Sequence, residues 1–173
     1  VLLPMLEEFK TLYPEVVLDV SLDDGLSTLT RDDVDVAIRG GYAPNERVQA
    51  VRLMDNDFIP VAAASYLSEM GTPKSAFELR QHKGLFFRTP NGPTPWLYQS
   101  EGEWHDVSAP PVAVSTNGSW LGDQADAGHG IMMAPRWSIA ERLESGTLQE
   151  LFFEPKLQIS QNPDLAIYLL YQK

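Results

Sequence analysis

The chain has 173 residues with no cysteine, so disulfides, thiol catalysis and cysteine-ligated metals are excluded. Its length suits one large domain or two small ones. The net charge of −11 is shared along the chain, with 12 acids and 5 bases in residues 1–60 and 12 and 8 in the rest, which disfavours polyanion binding and favours solubility.

Taken in order, VLLPMLEEFKTLYP reads as an amphipathic helix. Leu2, Leu3, Leu6, Phe9, Leu12 and Tyr13 recur at the spacing of one buried face, and Pro14 stops it. Val16 to Leu22 alternates as a strand, and Asp24 suits the N-cap of a short helix through Leu29. Val34, Val36 and Ile38 make a buried strand that ends in a turn at Gly40 and Gly41. Helix, strand, short helix and strand is the order of an open α/β sheet, in which ligands collect beyond the carboxyl ends of strands.

Residues 41–46 read as loop and Val48 to Leu53 as extended chain. Phe58 to Ala64 is strand-like, and Ser65 caps a short helix that Gly71 and Pro73 end. A second short helix covers Ser75 to His82, a brief strand Leu85 to Phe87, and a loop residues 89–95. Trp104 and Val107 flank a short strand, and Val112 to Ser115 is another. Asn117 to Ala127 looks helical and stops at Gly128, and Ile131 to Ala134 is a fully apolar strand. Pro135 suits the first position of a helix with Ile139, Ala140 and Leu143 on its core face. Leu148 to Phe153 is extended, and Leu165 to Tyr171 is the most apolar strand. Strands near 16, 34 and 48 form one set and those near 85, 112 and 131 a second. Strands near 58 and 165 are left to join them. No apolar run approaches the roughly 18 residues of a membrane span. The chain starts within a helix pattern and stops on a strand pattern, as a piece of a longer protein would.

LLPMLEEFKTLYPEVVLDV, DDVDVAIRGG, PVAAASYLSEMGTP and FELRQHKGLFF, followed by DAGHGIMMAPRWSIAERLESGTLQELF and LAIYLLYQ, resemble in order the effector-binding domain of LysR-type transcriptional regulators. The resemblance covers nearly the whole chain. It implies an α/β fold of the type 2 periplasmic-binding-protein class, truncated at both ends, with two Rossmann-like subdomains joined by two crossing strands. Residues 1–59 with the returning strand 163–173 would form one subdomain and 60–162 the other. It also implies a small-molecule effector in the cleft, pairing into a homodimer or tetramer, a cytoplasmic location, and DNA binding through an N-terminal domain missing here. A periplasmic-type solute receptor shares the fold and stays open as the alternative.

Arg39 and Gly40 follow an apolar strand, where a guanidinium can grip a carboxylate and glycine lets backbone approach a ligand. An ion pair with nearby acids is the plainer role for Arg39. Thr116 and Asn117 sit between a strand and a helix, where free N–H groups suit an anion, although capping alone explains Asn117 equally. Arg88 and Thr89 follow a strand of the second set, and Pro95 with Trp96 could wall a cleft or, for Trp96, fill the core. His129 lies between two glycines just after Asp123 and Asp126. That trio suggests acid–base chemistry or a metal, but the glycines are better explained by a helix stop and a turn, leaving His129 as a candidate cleft residue. No nucleophile elbow, phosphate loop or HExxH motif is present, so neither an enzyme nor a cofactor is expected.

Overall fold

The computed structural model describes residues 2–21, 34–41, 48–162 and 164–171. FIPVAA and IMMAP become strands buried at nearly every residue, since a strand without a polar face must be buried twice, whereas AIYLLY alternates buried with partly exposed residues. The elements in order are α1 (Leu2–Leu12), β1 (Val36–Gly41), β2 (Gln49–Asp55), β3 (Phe58–Ala63) and α2 (Ala64–Met70). A 3-10 segment, Ala76–Gln81, leads to β4 (Gly84–Thr89), β5 (Gly92–Pro93), β6 (Leu97–Ser100), β7 (Glu103–Asp106) and β8 (Pro111–Ser115). Then come α3 (Gly118–Asp126), β9 (Ile131–Pro135), a 3-10 turn at Arg136–Ile139, α4 (Ala140–Glu144), β10 (Leu148–Glu150) and β11 (Ala166–Tyr171).

The strands fall into separate sheets. A three-stranded antiparallel sheet has the order β1-β11-β2, with β11 in the centre. The larger sheet runs β10-β3-β9-β4, with β8 parallel to β4 on its far side and β5 folded back on the end of β4. β6 and β7 form a hairpin of their own. The chain enters the larger sheet through the short gap between β2 and β3, and returns to the smaller one at β11. The strand at 58 thus lies in the larger sheet, and the strand near 165 in the smaller one.

Two clusters sandwich the larger sheet. Tyr66, Leu79, Phe86, Trp96, Ile131, Met133 and Leu157 pack on one face. Ile59, Val61, Leu85, Leu121, Met132, Ile139 and Leu148 pack on the other, under α3 and α4. Trp96 is fully buried and stacks on Phe86 with ring centroids 4.8 Å apart, so it is core and not a cleft wall. Arg142 of α4 ties the second layer together by bonding Asp126 at 2.7 Å and Asp123 at 2.6 Å on α3.

Four expectations change. Residues 16–21 form no strand, and Val17 is 91% exposed; no neighbouring strand pairs with this stretch, and alternation alone cannot supply one. Leu22 and the helix expected from Asp24 to Leu29 lie outside the described residues. On α1, Phe9, Leu12 and Tyr13 are exposed rather than buried, with Leu12 at 65%. Finally, β1 continues through Arg39 and Gly40 to Gly41 instead of turning before them, because each pairs with a residue of β11. Pro135 ends β9 and precedes the 3-10 turn, where the expectation made it the first residue of a helix.

His82 marks the one buried histidine. Its Nδ1 lies 3.1 Å from the Tyr66 hydroxyl, which already accepts the Lys83 N–H at 2.9 Å. Burial holds the His82 pKa below its ordinary value of 6.5, against an opposing pull from Glu78. Below that value the unfolded chain takes up a proton that the folded one resists, so stability is complete above about pH 6.5 and declines as pH falls. A melting curve should show the transition temperature dropping between pH 7.5 and 5.5. His82→Gln should flatten that dependence, and equal slopes in the two proteins would contradict the assignment.

Candidate functional site

β4 and β8 run parallel, with Phe87 opposite Ser115, so the residues that follow each strand emerge side by side. This brings Arg88 and Thr89 next to Thr116 and Asn117 at the carboxyl edge of the larger sheet. Gly118, the first residue of α3, faces the Phe87 ring, which seats the helix start against β4. Asn117 Oδ1 accepts the Trp120 N–H at 2.9 Å and so caps α3, leaving its Nδ2 hydrogens outward. The Asn117 N–H itself donates to Ser115 Oγ at 3.0 Å.

Arg88 is exposed and makes no ion pair or hydrogen bond with the described residues. Thr89 differs. Its hydroxyl donates to Gly92 O at 2.9 Å and accepts from Asn91 N at 3.2 Å, so it holds the turn between β4 and β5. Thr116 is exposed beside them.

The other candidates lie elsewhere. Arg39 is half-buried within β1, opposite Tyr168, on the face where Ala37 and Tyr168 pack. It has no ion pair among the described residues, so the plainer reading of a structural pair is not what holds it. Gly40 does make the close approach that glycine allows. A Cβ there would stand 2.8 Å from Asn56 Nδ2. His129 sits at the amino end of β9, the edge opposite Asn117, because β9 and β4 are parallel with Ile131 beside Gly84. Its Nδ1–H donates to Gln124 Oε1 at 2.9 Å, while the nearby Asp123 and Asp126 are held by Arg142. The structure thus does not bring His129 to the edge where Arg88, Thr116 and Asn117 gather.

Sequence reasoning expected a crossing near residue 58 but missed Asn56 just before it. Asn56 is 7% exposed, one of two buried polar residues named in the core. Its N–H donates to Leu165 O at 3.2 Å, and its Oδ1 accepts the Trp137 Nε1–H at 2.9 Å. Arg136 N–H donates to Asp57 O at 2.9 Å just beside it. The usable signal was the polar triplet Asp55, Asn56, Asp57 wedged between two apolar strands. Two pockets flank this point, of about 220 Å³ and about 190 Å³, and Asp57 and Arg136 line both.

Comparison with known proteins agrees with this arrangement. The LysR substrate binding domain family matches residues 1–173. The HTH-type transcriptional regulator CrgA of Neisseria meningitidis is 28% identical over 168 residues, covering 96% of this chain and 55% of that protein. The solved regulatory domain of CrgA, a LysR-type regulator, superposes with a TM-score of 0.83 at 25% identity over 100% of this chain and 82% of that one. Full-length AphB, the Vibrio cholerae virulence activator, superposes with a TM-score of 0.80 at 28% identity over 98% of this chain and 56% of that one. The chain spans about half the length of the curated relatives it matches. The fold is the α/β fold of the type 2 periplasmic-binding-protein class, as in these neighbours, and the chain belongs to the LysR substrate-binding domain family.

Proposed function

We propose that this chain is the effector-sensing part of a DNA-binding transcriptional regulator, and that its effector is a small anion or carboxylate. The observation that carries this reading is the unpaired Arg88 beside Thr116 and the capped start of α3. The guanidinium offers bidentate bonds to a carboxylate, and the Thr116 hydroxyl and Asn117 Nδ2 offer single bonds. Residues 1–59 with the returning strand, and 60–162, are the two subdomains in this reading, with Arg39 and Gly40 facing the effector from the first. Thr89 supports the turn that carries Arg88, and His129 has no part. The receptor alternative is disfavoured because the relatives are transcriptional regulators. Among the described residues no helix is long and apolar enough to cross a membrane.

A panel of small carboxylates screened by thermal shift identifies a ligand, because binding to the native state alone raises stability. With that ligand, Arg88→Ala should weaken binding by about 1.5–3 kcal/mol, the worth of a hydrogen bond to a charged group. Asn117→Ala should also weaken it, and His129→Ala should not. Unchanged affinity in both Arg88→Ala and Asn117→Ala would move the site elsewhere.

The chain alone should not bind DNA. Counterion release by clustered Lys and Arg supplies most nonspecific affinity, yet here acids outnumber bases in both parts and residues 107–122 hold no Lys or Arg. A gel shift at low salt, where screening is weakest, is the test. Tight and salt-sensitive binding would overturn the division of labour, which assigns DNA to a part of the protein outside this chain.

Self-association completes the reading. Met5 at 63% and Leu12 at 65% exposure give α1 an apolar surface suited to a second copy, with α3 as the other candidate contact. Light scattering at tens of micromolar should report a dimer or tetramer, and Leu12→Glu should shift it toward monomer. A monomeric mass for the unaltered chain would count against the pairing.

A further inference from the structure

The pocket of about 190 Å³ has walls from both connections between the sheets: residues 56–59 on the way out, and residues 156–160 with Asn162 and Leu165 on the way back, with Arg136 beside them. None of Arg39, Arg88, Thr116 or Asn117 lines it. At about 30 Å³ per water-sized group, it has room for about six such groups, the size of one small metabolite.

Its walls are fixed by main-chain bonds. Gln158 and Leu97 exchange N–H···O bonds of 2.9 and 2.7 Å, and the Asp57 carbonyl accepts the Arg136 N–H at 2.9 Å. Phe58, Leu157 and Ile159 give its floor an apolar patch, beside polar lining from Asn56, Gln158, Ser160 and Asn162. Three charged side chains stand around it. Arg136 is neutralised by Glu150, whose two oxygens both accept from Nη2 at 2.7 Å. That leaves Lys156 and the Asp57 carboxylate. Both are exposed, and neither side chain makes a hydrogen bond or ion pair with any described residue, including the other.

One free cation and one free anion on a single pocket, over an apolar patch, complement a molecule that carries both charges and an apolar group. A simple carboxylate would leave Asp57 repelling it, and a simple amine would meet Lys156. We propose that this pocket binds a small apolar α-amino acid, its carboxylate toward Lys156 and the outer N–H groups of Arg136, its ammonium toward Asp57. Asn56 lines the same pocket and carries the bonds to Leu165 and Trp137 that tie the two sheets. Occupancy would therefore be read at the crossing itself, independently of the Arg88 edge.

The full 173-residue chain labelled with 5-fluorotryptophan provides the test, with the Trp137 fluorine resonance assigned from Trp137→Phe. Titration with L-valine, L-leucine and L-methionine should move that resonance to saturation for at least one of them. The same side chains bearing only the carboxylate or only the amine should bind more weakly by about tenfold, equivalent to about 1.4 kcal/mol. Lys156→Gln and Asp57→Asn, both at exposed positions, should each weaken the amino acid by about as much, while Arg88→Ala leaves it unchanged. No movement with any of the three amino acids overturns the proposal. So does a response lost in Arg88→Ala but kept in Lys156→Gln and Asp57→Asn, which would assign the ligand to the other edge.

Discussion

Asn56 occupies the two-residue gap between β2 and β3 with its side chain withdrawn from water. A buried amide without partners is costly, so its position is allowed only where partners converge. They converge here from three directions. Leu165, just before β11, takes the N–H, and Trp137, just after β9, supplies a donor to Oδ1. Gly40 of β1 leaves the space that any larger residue would fill. Asn56 thus ties the two sheets through two groups, its backbone N–H on Leu165 and its side-chain Oδ1 under Trp137.

The same demand for partners explains what the sequence could and could not reveal. The strands of the larger sheet were legible because FIPVAA, GLFF and IMMAP are too apolar to face water on either side, and the structure buries them on both. Residues 16–21 carry a clean alternation and yet pair with nothing, since alternation describes a half-buried strand without specifying a neighbour. Likewise, the spacing on α1 defines an apolar face but does not say what covers it, and Leu12 stays exposed. The order of the sheets, β1-β11-β2 above all, rests on pairing between residues more than a hundred positions apart. No local pattern encodes it, and the family resemblance implied only that the last strand crosses back.

The site was legible by half for a related reason. Arg88 sits near the end of β4, Thr116 and Asn117 follow β8, and because the two strands are parallel the three reach one edge. His129 precedes a strand, so the same rule sends it to the other edge. Arg39 was read as lying past the end of its strand, whereas pairing to Tyr168 draws it inside. Direction along the strand, not residue chemistry, separates these cases. The crossing residues were missed because their importance is a matter of convergence. Asn56, Trp137 and Lys156 are far apart in sequence, and nothing in any one of them announces the others.

Electrostatics sharpen the contrast between structure and site. The acids beside His129 looked like chemistry, but Asp123 and Asp126 are drawn onto Arg142, whose own pKa rises chiefly through the Asp126 bond. Arg136 is similarly occupied by Glu150. Of the cations on described residues, Arg52, Arg136 and Arg142 pair with a carboxylate, while Lys10, Arg39, Lys74, Arg80, Lys83, Arg88 and Lys156 do not. Lack of an ion pair therefore does not by itself mark a site. What sets Arg39, Arg88 and Lys156 apart is place: they lie on β1, near the end of β4 and at the return crossing, where the two sheets and their connections come together. An anionic group of a ligand is met there by a cation that no carboxylate already neutralises, and position in the fold rather than charge alone makes the difference.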